Sequence, residues 1–139
     1  MNTTTDNFVS NKRIWAARIL GGLPIAFMTL DAAIKLARLA PAVTGTVQLG
    51  YPPSVVFGIG LVELLCVLAY AIPRTAIVGA VLLTGYLGGA IATHVRVGDP
   101  IATHVLAPIY VAALIWGALL LRGRLRGLFA VPPARQAAA

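Results

Sequence analysis

The sequence is poor in almost everything a water-soluble domain needs. Charged residues make up 11% of its 139 positions, Asp and Glu together number only four, and 59% of the chain is hydrophobic. So little polar material does not cover a soluble domain of this length, and the mean hydropathy of +0.89 places the chain in a bilayer. The single cysteine, Cys66, lies inside an apolar run. That excludes an intrachain disulfide and a metal site of paired cysteines, and leaves a buried, inert thiol. No Gly-rich phosphate loop stands in a strand-to-helix setting, so a flavin or nicotinamide site is not expected. The net charge of +7 would suggest nucleic acid in a soluble protein. Here the bases stand at the ends of apolar runs, without the interleaved aromatics of single-strand binders. They are read as setting topology and meeting anionic headgroups, and nucleic acid is not an expected partner.

What the chain does have is four long apolar stretches, at 14–39, 54–72, 75–94 and 101–121. They predict an all-α fold, a four-helix transmembrane bundle in the cell membrane, with a polar segment (1–13) before it and a basic tail (122–139) after it. The first stretch, at ~1.5 Å per residue, exceeds a ~30 Å hydrocarbon core and must tilt. Pro24, after Gly21 and Gly22, is expected to kink it. A polar start followed by an apolar run mimics a signal peptide, but 14–30 has no clear small-x-small cleavage site, so it is read as a retained span. Residues 40–53, with Pro41, Gly45, Gly50, Pro52 and Pro53, read as a loop with room for one interfacial turn. Pro73 and Arg74 make a tight turn, and the four-residue spacing of Gly85 and Gly89 predicts close helix packing.

The bases orient the bundle. Lys12, Arg13, Arg18, Arg74, Arg122, Arg124, Arg126 and Arg135 fall on one side, against Lys35, Arg38 and Arg96 on the other. By the positive-inside rule both termini are cytoplasmic.

The remaining polar residues define a candidate site. Glu63 lies nine residues inside the second span, ~14 Å deep, where an ionised acid costs roughly 2.5 to 3.5 kcal/mol. It must be protonated, paired or facing a cavity. Asp31 and Lys35, one helical turn apart with the acid first, form a favourable ion-pair spacing. Tyr86 reaches nearly the depth of Glu63. Across the third connection, His94, Arg96, Asp99 and His104 fall within eleven residues, and the four are expected to sit together. Tyr110 stands toward mid-depth on the fourth span. The expected catalytic groups are therefore Glu63, Asp31, His94 and His104, and the expected ligand-binding groups Lys35, Tyr86, Arg96, Asp99 and Tyr110. The two histidines could meet across the helix junction, joined by Asp99 or Glu63. Helix-end histidines are more often hydrogen-bonded structural groups, and no metal is expected.

Several of these features together resemble the DoxX-like membrane proteins, named for a subunit of a thiosulfate-oxidising, quinone-reducing complex. They are the first span ending in Asp31-x-x-x-Lys35, LGYPP at Leu49–Pro53, and Gly60 followed by Glu63-Leu64. Arg74-Thr75-Ala76 opening the third span and the TH…GDP segment of the third connection complete the set. The resemblance runs from about Arg18 to Arg126. It implies a redox or quinone-linked context and assigns no catalytic residue.

Two functions follow as expectations. In the first, a pocket between the helices binds a quinone or similar lipophile as part of a redox system. The chain has no intrinsic cofactor and works with a redox partner protein or as a homo-oligomer. In the second, the chain is a stand-alone membrane enzyme, an isomerase, cyclase or epoxide hydrolase, doing acid/base chemistry on a small lipophile. A proton-coupled transporter is less favoured, because multidrug transporters of this length tend to carry their key Glu in the first span.

Overall fold

The computed structural model describes residues 3–123, with side chains from residue 11 on. Arg124, Arg126 and Arg135 of the basic tail lie outside the described residues. Five α-helices follow one another: α1 (Thr3–Leu36), α2 (Ala40–Gln48), α3 (Val56–Ala71), α4 (Ala76–Val97) and α5 (Leu106–Leu121). A 3-10 turn (Pro53–Val55) leads into α3, and a π-helical turn (Ile101–Val105) leads into α5. Four of the helical segments, Asn11–Leu36, Pro53–Ala71, Ala76–Val97 and Ile101–Leu121, are long and apolar enough to cross a membrane. The protein is a multi-pass membrane protein, and these are its spans.

The spans form a square. α1 packs on α3 and α5, and α4 packs on the same two, so α1 faces α4 across one diagonal and α3 faces α5 across the other. The outward faces carry exposed Trp15, Leu23, Leu30, Leu65, Val78 and Leu120. In water that coat would aggregate; in lipid it is the solvent-facing surface. The buried core of Met28, Val67, Tyr70, Ala80, Leu83, Ile115 and Leu119 fills the half nearer the Pro73 turn. Tyr70 ties one diagonal by donating its hydroxyl hydrogen to the Ile115 carbonyl at 3.2 Å.

Three expectations are corrected. Residues 40–53 are not simply a loop, because 40–48 form a nine-residue helix with Pro41 in its first turn, where a missing N–H costs nothing. Helix α1, which carries Pro24 in its interior, ends at Leu36 rather than 39, because Arg38 takes a left-handed conformation (φ 51°). Finally, Gly85 and Gly89 do not bring helices together: a Cβ added at either meets nothing within 4 Å. Close approach occurs instead at Gly79, where a Cβ would collide with the backbone of Tyr70. The short turn through Pro73 forces α3 and α4 together at that end.

Candidate functional site

The polar groups of α1, α3 and α4 meet in one network. Lys35 Nζ donates to Asp31 Oδ2 at 2.6 Å, to Glu63 Oε2 at 2.7 Å and to the Tyr86 hydroxyl at 3.0 Å. Tyr86 in turn donates to Glu63 Oε2 at 2.8 Å. Lys35 therefore reaches across the open diagonal from α1 to α4, with Glu63 of α3 between them. The meeting is set by packing at Gly60, where an added Cβ would lie 2.7 Å from Lys35 Cβ and 3.1 Å from the Ala32 carbonyl. Only glycine lets α3 lie this close to α1, and Glu63 follows Gly60 by one turn on the same face. The Glu63 side chain is 1% exposed, so its charge stands on these partners.

A second cluster is built by a chain reversal. At the end of α4 the Asp99 amide bonds the His94 carbonyl and the Gly98 amide bonds the Val95 carbonyl. Gly98 takes φ 78°. This is the Schellman pattern, which needs a left-handed residue and so favours glycine. It folds Asp99 back onto the turn it has just left, and His94 Nδ1 comes to 2.6 Å from Asp99 Oδ2. His104, on the π-helical turn, lies with its ring centroid 5.1 Å from that of His94. Its Nδ1 is 2.8 Å from Thr103 Oγ1.

The same pattern at Gly50 (φ 81°) ends α2 and delivers Tyr51 to Thr93 at 3.1 Å. Arg96 turns the other way. It donates to the Leu49 carbonyl and its guanidinium lies 5.9 Å from the Tyr51 ring centroid. The expected grouping of four thus becomes three: His94, Asp99 and His104 converge, while Arg96 straps the α2 segment. Residues two apart on a helix point to opposite sides, so His94 and Arg96 cannot share a face.

Between the clusters lies a cavity of about 540 Å³. Asp31, Lys35, Glu63 and Tyr86 line one end and His94 and His104 another, with Phe27, Ile59, Leu87, Ala107, Pro108 and Val111 as its apolar wall. Gly85 and Gly89 are part of that wall. Their missing side chains are the space. Asp99 and Arg96 are not in the lining, and Tyr110 is 61% exposed and also outside it. Thr46, Tyr51 and Thr103 line it without having been among the expected site residues. The signal for Tyr51 was available, since Gly50, like Gly98, stands just past a helix end. Among the described residues, no three His, Cys, Asp or Glu side chains come together as a metal-binding group.

The arrangement holds charge within an apolar bundle, presents hydrogen-bonding groups at both ends of a ligand-sized space, and places a carboxylate-backed imidazole at one of them. Comparison with curated proteins gives no match, and comparison with solved structures gives none. Residues 19–118 match the DoxX-like family. That match runs through every helix that supplies the network and the cavity, and the chain belongs to the DoxX-like family.

Proposed function

We propose that the protein binds a quinone-class lipophile in the intrabundle cavity, as a membrane subunit of a redox system. The observation that carries this reading is the cavity itself, about 540 Å³ of largely apolar space closed at one end by the Lys35, Glu63, Asp31 and Tyr86 network. Bundle interiors are common sites for such ligands, and an apolar wall with a few convergent polar groups suits a flat ring bearing two oxygens. Electrons reach the ligand from a partner protein that carries its own redox group. Both termini and the Pro73 turn face the cytoplasm, and the histidine cluster faces the outer surface.

Mass spectrometry of the purified protein and its lipid extract tests the ligand class. A co-purifying quinone supports the reading, and a bound non-redox lipophile overturns it. Orientation is tested separately in cells, with Arg74→Cys made in a Cys66→Ser background. Labelling of that thiol by an impermeant reagent is expected only after permeabilisation.

A second reading rests on a different observation, the His94–Asp99 pair at the cavity wall. A carboxylate bonded to Nδ1 orients the ring and supports Nε2 as a general base. That arrangement suits a stand-alone isomerase, cyclase or epoxide hydrolase. Turnover of a lipophile by the purified chain, with no electron donor present, is its signature.

A further inference from the structure

We propose that the cavity recognises the reduced, hydroxyl-bearing form of its ligand, a hydroquinone, in preference to the quinone. The inference rests on the quinone-class reading above and specifies which redox form the site is built to hold.

It follows from counting protons. An ammonium has three hydrogens to give and a phenol one. The three of Lys35 go to Asp31, Glu63 and Tyr86, and the one of Tyr86 goes to Glu63. Elsewhere in the lining, Thr46 donates to the Ala42 carbonyl and Thr93 to the Gly89 carbonyl. With the Thr93 hydrogen committed, its contact with Tyr51 uses the hydrogen of Tyr51. His94 gives its Nδ1 hydrogen to Asp99, which leaves Nε2 without a partner among the described residues. His104, at the exposed rim, is the one lining side chain whose tautomer leaves the choice open.

The acceptors are not used up. Glu63 Oε1 and Asp31 Oδ1 make no hydrogen bond among the described residues, whereas Oε2 and Oδ2 hold Lys35. Glu63 is 1% exposed and belongs to the cavity lining. Among the described residues no enclosed side-chain oxygen lacks a partner, so Oε1, which has none, is an acceptor that opens onto the cavity. A quinone offers only carbonyl lone pairs and would meet lone pairs. A hydroquinone offers an O–H donor to the carboxylate end. The carboxylate end of the cavity asks for a hydrogen, and only the reduced ligand brings one.

The test uses the full-length protein in lipid nanodiscs at pH 8. Binding of decylubiquinone is compared with binding of the same compound held reduced under anaerobic conditions. The reduced form is expected to bind about tenfold more tightly or better, as hydrogen bonds to charged acceptors allow. A tenfold preference raises the midpoint potential of the bound couple by about 30 mV. In Glu63→Gln and Asp31→Asn the new amide can offer a hydrogen of its own, and the preference is expected to collapse. Should Glu63→Gln fail to fold, Asp31→Asn reads the same ratio from the more exposed carboxylate. Equal affinities in the unaltered protein, or tighter binding of the quinone, overturn the inference and leave the ligand class standing. Binding of neither form overturns both.

Discussion

A methyl group added to Gly79 would strike the backbone of Tyr70, while one added to Gly85 or Gly89, two and three turns along the same helix, meets nothing within 4 Å. Glycine does opposite work at the two ends of α4. Near the Pro73 turn it removes distance between helices, and the space is filled by Tyr70, Leu83, Ile115 and Leu119. Beyond mid-helix it removes a side chain from a wall and leaves the cavity. One end resembles a soluble core, closed further by Arg13 donating to the Leu121 carbonyl at 2.9 Å and Arg122 to the Ala17 carbonyl at 3.2 Å. The other end gives up packing for a polar network. Stability should therefore reside in the first half and ligand binding in the second.

That division can be broken most severely at the seam. Gly79→Val is expected to abolish folding, seen as loss of monodisperse protein on size-exclusion chromatography, because the obstacle is backbone and has no rotamer to yield. Next comes Lys35→Met, which leaves Glu63 buried without its cation. Breaking a buried pair in this way costs about 3 to 5 kcal/mol, measurable as a lowered denaturation midpoint in detergent. The double variant Lys35→Met with Glu63→Gln should recover most of that loss, because the uncompensated charge is gone. Tyr70→Phe removes one buried hydrogen bond across the α3/α5 diagonal and should cost about 1 kcal/mol, with ligand affinity unchanged. The smallest effect on stability belongs to Gly89→Ala, within about 1 kcal/mol and in the stabilising direction for a helix interior. Gly89→Leu sharpens the contrast, since it should retain the melting temperature and lose ligand binding by occupying the cavity.

The spans were legible because apolar length is a direct consequence of bilayer thickness. Glu63 stood out for the same reason, being an acid where acids are expensive. Less visible was the partition of the polar residues. Asp99 lies five positions from His94 and yet bonds it, because Gly98 reverses the chain. Arg96 is nearer in sequence and points away. Hydropathy measures how deep a residue sits but not which way it faces, so Tyr110, apolar enough to suit either side, was placed inward and stands 61% exposed. Gly85 and Gly89 were misread for a related reason. A small-residue spacing shows that a helix face is smooth, and the identity of what lies opposite depends on the other three helices. Thr46 was hidden because several prolines and glycines in 40–53 masked a short helix.

The pairing of Asp31 with Lys35 inside one helix also bears on how the chain enters the membrane. α1 is made first, and its lysine arrives at the bilayer with a counter-ion already one turn away, at 2.6 Å in the finished structure. An entering helix that carries its own neutralising partner meets a lower barrier than one bearing a lone cation. Glu63 has no such companion on α3. It finds its cation only when α3 docks on α1 at Gly60, and its phenol only when α4 arrives. The order of synthesis is thus the order in which the network can close: α3 is held to α1 by Glu63 and Lys35, and α4 to both by Tyr86.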